Sequence, residues 1–127
     1  MSLKAIQTDN APSAIGPYSQ AVQAGDTLYI SGQIPLIAET MELVDGDITA
    51  QTTQVFNNLK AIAAAAGGDL KNAAKINISL TDLNDFNAVN EVMKQYFDQP
   101  YPARACVQVA ALPKGVPVEI EAIVYMG

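Results

Sequence analysis

Apolar and polar positions recur along the chain with two different periods, which separate predicted strands from predicted helices. Alternation with period two predicts strands at 4–6, 19–24, 27–31, 74–81, 103–109 and 118–125. Apolar residues at three- and four-residue steps predict two amphipathic helices, one from 48 to about 66 and one from 82–85 to about 97. This order indicates an α+β protein in which two helices cover one face of a sheet.

Turn and capping residues predict the boundaries between these elements. Gly25-Asp26, flanked by apolar residues, is typical of a tight β-hairpin. Asp47 is the expected N-cap of the first helix, and Gly67-Gly68 is its expected stop. Gly32 follows the strand 27–31 at a position where the missing Cβ allows a ligand or another backbone to approach closely.

The last two predicted strands carry the residues that indicate chemistry. A turn at 113–115, which contains a proline and a glycine, predicts that these strands form an antiparallel hairpin. That pairing would bring Arg104, the only arginine, and Cys106, the only cysteine, onto one patch of sheet with Glu119 and Glu121. A guanidinium binds a carboxylate through two parallel hydrogen bonds, and a glutamate can hold or deprotonate a water. The pattern therefore predicts a site for a small carboxylic acid.

The sheet face away from the helices is expected to carry apolar side chains, because valine and alanine occupy both parities of the last two strands. An uncovered apolar face of this kind is commonly buried against another protomer. The pattern thus predicts an oligomer, without its order.

Composition narrows the classes of function. The chain has 127 residues, half of them apolar, which suits a single domain over residues 1–127 with one substantial core. A formal net charge of −6 and the lack of a basic run argue against a nucleic-acid partner. The longest low-polarity run, 61–66, is far short of the roughly 20 residues that a membrane span needs. One cysteine and the lack of a signal pattern at the start favour a cytoplasmic location.

The sequence contains no histidine, which excludes Ser-His-Asp and Cys-His catalysis as well as histidine zinc sites. A single cysteine also excludes a thiolate zinc cage within one protomer. Acid–base chemistry is then left to Glu, Asp, Tyr, Lys, Cys or bound water. Without a histidine partner, Cys106 is more typical of a small buried residue than of a nucleophile.

Five segments of the chain form a specific set when they are taken together. They are Ala14-Ile15-Gly16-Pro17-Tyr18-Ser19-Gln20-Ala21, Ser31-Gly32-Gln33-Ile34-Pro35, Asp82-Leu83-Asn84-Asp85-Phe86 followed by Val89-Asn90, Tyr101-Pro102-Ala103-Arg104-Ala105-Cys106-Val107, and Leu112-Pro113 through Glu119-Ile120-Glu121-Ala122. In this order and spacing, over essentially the whole length, the chain resembles the reactive-intermediate deaminase A (RidA, also called YjgF) family. It departs modestly from that family, since Ala105 replaces a frequent serine and Gln108 a frequent charged residue.

The resemblance implies a chorismate-mutase-like α+β fold, a mixed β-sheet with two helices packed on one face. It implies a homotrimer with an active site in each cleft between subunits. It also implies hydrolysis of reactive 2-enamine/2-imino acids, such as 2-iminobutanoate and 2-iminopropanoate, to 2-oxo acids and ammonia without metal or organic cofactor. An iminium carbon is already electrophilic, so this reaction needs positioning and a polarised water more than a strong nucleophile.

The same resemblance assigns roles by position. Arg104 would bind the substrate carboxylate, and Glu119 would hold the attacking water. The other expected substrate-binding residues are Tyr18, which would line the cleft, Gly32 and Cys106, which would act mainly through backbone groups, and Ser31 and Ala105.

Simpler interpretations remain open for several of these residues. Arg104 could form an interface salt bridge with Glu119 or Glu121, and strand parity alone does not choose between the two glutamates. Tyr18 could simply pack its own loop. Asn90 on the second helix is more typical of a structural hydrogen bond than of a contact with substrate.

Three other functions are compatible with the chain. A regulatory trimer that binds 2-oxo acids without turnover would use the same arginine. A ribonuclease or translation inhibitor is disfavoured by the acidic balance and the missing histidine. A chaperone role under oxidative stress would leave no mark in the sequence.

Overall fold

The structure, a computed structural model, describes residues 2–127 of the chain. This part contains six strands and two α-helices. The strands are β1 (Lys4–Ile6), β2 (Ala21–Ala24), β3 (Thr27–Gln33), β4 (Ala73–Leu80), β5 (Ala103–Gln108) and β6 (Val118–Tyr125). The helices are α1 (Ile48–Ala65) and α2 (Phe86–Met93). Short 3₁₀ turns occupy Leu70–Asn72, Leu83–Asp85 and Pro113–Gly115.

All six strands form one mixed sheet in the order β1-β2-β3-β6-β4-β5. Neighbours are antiparallel except β4 and β5, which run parallel. The predicted hairpin at Gly25-Asp26 is present, with Ala24 opposite Thr27 and Gly25 at a φ of +60°. The α+β expectation of a mixed sheet with two helices is confirmed.

The predicted antiparallel hairpin of the last two strands is wrong. β5 pairs with β4, while β6 lies between β3 and β4 and is antiparallel to both. β4, α2 and β5 follow one another as strand, helix and strand, which is the connection that parallel neighbours require. β5 is therefore an edge strand, separated from β6 by the whole width of β4.

Helix α1 forms where the sequence predicts it. The Asp47 side chain accepts a hydrogen bond from the Ala50 N–H at 2.9 Å, which satisfies one free donor of the first turn. The helix ends before Gly67, which has a φ of +85°, and the Gly68 N–H returns to the Ala63 carbonyl at 2.9 Å. Its apolar stripe is fully buried against the sheet and consists of Val55, Phe56, Leu59, Ile62 and Ala63.

Helix α2 is shorter than predicted and ends at Met93. Tyr96 and Phe97 follow it in a turn, yet both still pack on α1. The Tyr96 ring stacks on Phe56 with centroids 5.1 Å apart, and Phe97 meets Phe56 edge-on at 6.0 Å. No helix within residues 2–127 is long and apolar enough to cross a bilayer.

The two faces of the sheet have different environments. The helix-covered face buries Ile76 and Ile78 of β4 together with Ile120 of β6. The open face carries Tyr29, Val107 and Tyr125, each with 51–58% of its surface exposed. The expectation that the uncovered face carries apolar side chains is therefore confirmed.

Candidate functional site

A cavity of about 530 Å³ lies beside the C-terminal end of β3 and the N-terminal end of β6. Its polar wall includes Ser31, Gly32, Gln33, Glu119 and Glu121 of these two strands, together with Ser13, Gln20 and Lys114 from the neighbouring loops. The loop before β2, the loop after β3 and the turn before β6 supply a mostly apolar wall, which includes Pro12, Ile15, Tyr18, Ile34, Leu36, Met41 and Pro113. A few polar groups facing an apolar wall are typical of a small-molecule site.

Gly32 and Glu119 fit against each other across the two strands. The register between β3 and β6 shifts between Ile30 and Gln33, so Ser31 and Gly32 lie in a bulge that re-aims this end of β3. A Cβ placed on Gly32 would lie 2.8 Å from the Cδ and Oε1 atoms of Glu119, which is too close. The missing side chain of Gly32 thus gives room to the Glu119 carboxyl group, whereas the expected close approach was that of a ligand or another backbone.

The two glutamates of β6 differ in their surroundings. Glu119 is half-buried, and burial raises the pKa of its carboxyl group above the usual range, with the nearby Glu121 carboxylate adding to the effect. Glu121 is exposed, and one of its oxygens accepts a hydrogen bond from the Asn77 side chain at 3.0 Å. A raised pKa is the direction that brings a carboxyl group closer to the range useful for general acid–base catalysis.

Arg104 lies away from this cavity and lines a second one of about 370 Å³, with Asn90, Tyr101 and other residues. Its Nη1 donates a hydrogen bond to the Asn90 side-chain oxygen at 2.5 Å. The guanidinium carbon lies 4.9 Å from the centroid of the Phe86 ring, within cation–π range. Asn90 therefore fixes the guanidinium through its Nη1 group alone. A guanidinium has five N–H donors, so others remain for an anion.

The contacts of Arg104 with α2 are the part of the site that sequence reasoning missed. Asn90 was expected to make a structural hydrogen bond, and its partner is the arginine. Phe86, Asn90 and Met93 follow at steps of four and three residues, so they share one face of α2. That spacing could have predicted a common contact surface on α2. It predicts contact with Arg104 only when β5 is known to pair with β4.

The other residues expected at the site have the following environments. Ser31 donates its hydroxyl to the Ser19 carbonyl at 2.6 Å, so its oxygen is left as an acceptor. Tyr18 lines the larger cavity and is 52% exposed. Cys106 is half-buried on β5, where burial raises the pKa of its thiol more than the Arg104 guanidinium lowers it. Ala105 is exposed on the same strand.

Arg104 and Glu119 lie far apart within one chain. On β4, Arg104 is level with Ile76 and Glu119 with Ser79, so the two lie three residues apart along the sheet and two strands apart across it. At about 3.3 Å per residue and about 4.8 Å per strand, their Cα atoms are roughly 14 Å apart. Ile76 faces the helices, whereas Ser79 faces the open side of the sheet. The side chains of Arg104 and Glu119, which are level with these two residues, therefore leave the sheet on opposite faces. The expectation that one patch unites the arginine, the thiol and the carboxylates is wrong within one chain.

Within residues 2–127, the salt bridges join Lys71 with Asp98 and Lys94 with Glu91, and none of them involves Arg104. Arg104 thus pairs with neither Glu119 nor Glu121 of its own chain. The interpretation of Arg104 as a salt-bridge residue is left only with a contact between chains.

These features define a small α+β protein with an arginine cavity and a carboxyl cavity on separate parts of its surface. The family model described as Endoribonuclease L-PSP, which covers the RidA and YjgF proteins, matches residues 8–126. The chain belongs to this family, as the resemblance implied.

Individual relatives cover nearly the whole chain. Protein DfrA of Myxococcus xanthus is 57% identical over 125 residues, which is 97% of this chain and 95% of the relative. A 2-iminobutanoate/2-iminopropanoate deaminase of Homo sapiens is 50% identical over 124 residues, 98% of this chain and 90% of the relative. The crystal structure of RidA from an Antarctic Psychrobacter species superimposes with a TM-score of 0.92 at 60% identity, covering 96% of this chain and 98% of that one. The structure of E. coli TdcF with bound serine gives 0.92 at 47% identity, covering 98% and 99%.

Proposed function

We propose that the protein is a hydrolytic deaminase that converts reactive 2-enamine/2-imino acids, 2-iminobutanoate and 2-iminopropanoate among them, into 2-oxo acids and ammonia. The observation that carries the proposal is the Glu119 carboxyl group, fitted against Gly32 in a cavity and raised in pKa. Relatives that are 50–52% identical over nearly the full chain bear the name of this activity, which supports the same reaction here.

We infer that each complete site forms between two copies of the chain in a homotrimer. One chain holds Arg104 and Glu119 roughly 14 Å apart and on opposite faces of the sheet, by the strand spacings above. A substrate of four carbons is too small to bridge that distance. If the edge strand β5 of a second copy enters the cavity beside Glu119, the guanidinium and the carboxyl group come within reach of one small molecule. The exposed aromatic residues of the open face support such an association.

The proposed mechanism follows from the chemistry of these two groups. Arg104 forms a two-pronged contact with the substrate carboxylate through donors that Asn90 leaves free. Ionised Glu119 accepts a hydrogen bond from a water that attacks the C2 atom of the protonated imine, in which C2 is double-bonded to NH2+. As the C–O bond forms, one water proton passes to Glu119, and the electron pair of the C=N bond becomes the lone pair of a neutral amine on C2. Glu119 returns that proton to the amine and, once ionised again, takes the proton of the C2 hydroxyl group as the C2=O bond forms and the C–N bond breaks. The departing ammonia takes this proton as ammonium, which leaves Glu119 ionised for the next cycle.

The raised pKa of Glu119 fits this cycle, because a carboxyl group with an ordinary pKa near 4.3 would hold the proton too weakly to return it at neutral pH. Tyr18 and Ser31 would contact the substrate from the Glu119 side. Ala105 and Cys106 would arrive with Arg104 on the same strand. These substrate contacts, the cytoplasmic location and the absence of a cofactor and of a nucleic-acid partner remain predictions.

The test is a coupled assay in which threonine dehydratase generates the imine and semicarbazide traps it. Wild-type protein should suppress semicarbazone formation. Arg104→Lys keeps the charge but loses the fork, so kcat/KM should fall by at least about tenfold, the equivalent of one charged hydrogen bond. Lys71→Gln, at an exposed pair whose residues line neither cavity, is the charge control and should act like wild type. An Arg104→Lys protein with unchanged kcat/KM would contradict the carboxylate clamp.

Two alternative functions have specific support. Binding without turnover is favoured by the serine bound in the structure of E. coli TdcF. It would replace the deaminase if 2-oxobutanoate binds while semicarbazone formation is not suppressed. Ribonuclease activity is favoured by the description of the family model, and a net charge of −6 opposes it. RNA cleavage that survives repurification and disappears in Arg104→Lys would support it.

A further inference from the structure

The side chain of Gln20 is a buried amide in the wall of the larger cavity. It is only 2% exposed, just before β2 begins. Its Nε2 donates to the carbonyls of Thr8 at 3.0 Å, Ala11 at 3.3 Å and Pro12 at 2.8 Å. Its Oε1 accepts from the Thr8 N–H at 2.8 Å. One side chain thus gathers four backbone groups that come 8 to 12 residues earlier in the chain.

The backbone around Gln20 is fastened to the opposite side, to the bulge of β3. The Ser31 N–H donates to the Gln20 carbonyl at 3.0 Å, and the Ser31 hydroxyl donates to the Ser19 carbonyl at 2.6 Å. That bulge also contains Gly32, which gives room to Glu119. Gln20 therefore links the N-terminal loop 8–18 to the part of the sheet that carries the proposed water-binding carboxyl group.

Loop 8–18 depends on this amide for its position. It has no helix or strand, and it supplies Pro12, Ile15 and Tyr18 to the cavity wall. Within the part of the chain that the structure describes, the loop's other hydrogen bonds join near neighbours, such as the Tyr18 N–H with the Gly16 carbonyl at 2.8 Å. Buried polar backbone groups need partners, and Gln20 supplies them for this loop.

We propose that Gln20 is a positioning residue for substrate binding, which holds the Tyr18 wall at a fixed distance from Glu119. The inference deepens the proposed function and rests on it. Glutamine suits this place because its amide has two N–H donors and a carbonyl acceptor at this length. Its two N–H groups serve three carbonyls, so one is shared, and the contact with the Ala11 carbonyl at 3.3 Å is the longest of the three. Glutamate keeps the acceptor and loses both N–H donors. Methionine has the right length but has neither the donors nor the carbonyl acceptor.

The first experiment separates binding from chemistry in the Gln20→Met variant. Glu119 on β6 and Arg104 on β5 do not depend on the loop, so kcat should stay within about twofold while KM rises at least about fivefold, the sign of lost substrate binding. Ile62, fully buried on α1 and outside the cavity, provides the stability control. Ile62→Val or Ile62→Ala, whichever matches the Tm of Gln20→Met, should leave KM unchanged. An unchanged KM in Gln20→Met, or an equal rise in the control, overturns the inference.

The second experiment is amide hydrogen exchange, which does not require turnover. The Thr8 N–H, which donates to Gln20, should exchange at least about tenfold faster in Gln20→Met, while the Ser31 N–H, which donates to the Gln20 backbone, should keep its rate. Should wild type show no turnover, the proposed function fails, and the exchange rates still decide whether Gln20 fixes the loop. Equal protection of Thr8 in variant and wild type overturns that role. If Gln20→Met does not fold, Gln20→Glu, which keeps the acceptor for the Thr8 N–H but loses both donors to the carbonyls, is judged by its KM alone, and an unchanged KM overturns the inference.

Discussion

Substituting Gly32 by alanine tests how closely the site is fitted around Glu119. The new Cβ would lie 2.8 Å from the Cδ and Oε1 atoms of Glu119 and 3.1 Å from its Cγ. Ordinary van der Waals contact begins at 3.4 Å, so the carboxyl group would retreat by at least about 0.6 Å. The displaced group is the one proposed to hold the attacking water.

The size of the effect should differ between activity and stability. A misplacement of about 1 Å can cost about 10²-fold in rate, so we expect kcat/KM of Gly32→Ala to fall by tenfold or more. Gly32 does not have a positive φ, so alanine fits its backbone conformation. Restricting the unfolded chain stabilises such a variant by about 0.4–1 kcal/mol, which offsets much of the strain on a movable side chain. The free energy of unfolding should therefore change little.

A double-mutant cycle in the imine assay shows whether the loss acts through Glu119. Gly32→Ala, Glu119→Gln and the double variant are compared with wild type, and urea unfolding reports stability for each. If the added methyl group acts by displacing the carboxyl group, it costs much less in the Glu119→Gln background, where no acid–base group remains to be displaced. Wild-type kcat/KM in Gly32→Ala, or the same fold loss in both backgrounds, would refute this reasoning.

Two further predictions concern the charges and the thiol. Glu121→Gln keeps the oxygen that accepts from Asn77 but removes a charge that raises the pKa of Glu119, so the acid side of the pH profile of kcat/KM should move to lower pH; a shift to higher pH, or none, contradicts the role of Glu119 as the base. Cys106→Ser should keep kcat/KM close to wild type, because burial outweighs Arg104 and keeps the thiol protonated at neutral pH; loss of activity with intact folding would point to a covalent role instead.

Local signals in the sequence were sufficient for most elements of the fold. Three of these signals are the hairpin at Gly25-Asp26, the Asp47 cap and the Gly67 stop. Each depends on the backbone conformation of a few neighbouring residues, so the local sequence identifies it. The stripe of α1 and the alternation of β4 likewise predict which side chains are buried.

Strand pairing is where sequence reasoning failed, because the partner of a strand is not a local property. The turn at 113–115 suggested that β5 and β6 pair, as consecutive strands with a short connection often do. The strand–helix–strand order of β4, α2 and β5 was the competing signal, and it predicts a parallel pair. Since β5 joins β4 in this way, β6 takes the free edges of β3 and β4.

The same failure determines how much of the site could be predicted. Glu119 and Gly32 meet because β3 and β6 are neighbours. Both residues were already predicted at the site, because each lies in a segment that resembles the family. The separation of Arg104 from Glu119 was not predicted, because the expected pairing of β5 with β6 would have brought the two residues together. Gln20 was also missed as a functional residue, since a polar residue before a strand has the same appearance in sequence whether it is exposed or fully hydrogen-bonded.

The position of β6 has a consequence for how the protein is made. It is an inner strand of the sheet, yet it follows the other five along the chain. During translation the β1–β3 ribbon and the β4–α2–β5 unit emerge first, and each has an open edge that only 118–125 can cover. At roughly 5–20 residues per second, the edge of the β1–β3 ribbon waits for about 5–18 s and that of the β4–α2–β5 unit for about 1–3 s before β6 is complete. Unpaired strand edges are templates for aggregation, so the nascent chain is most in need of a chaperone while β6 is being synthesised.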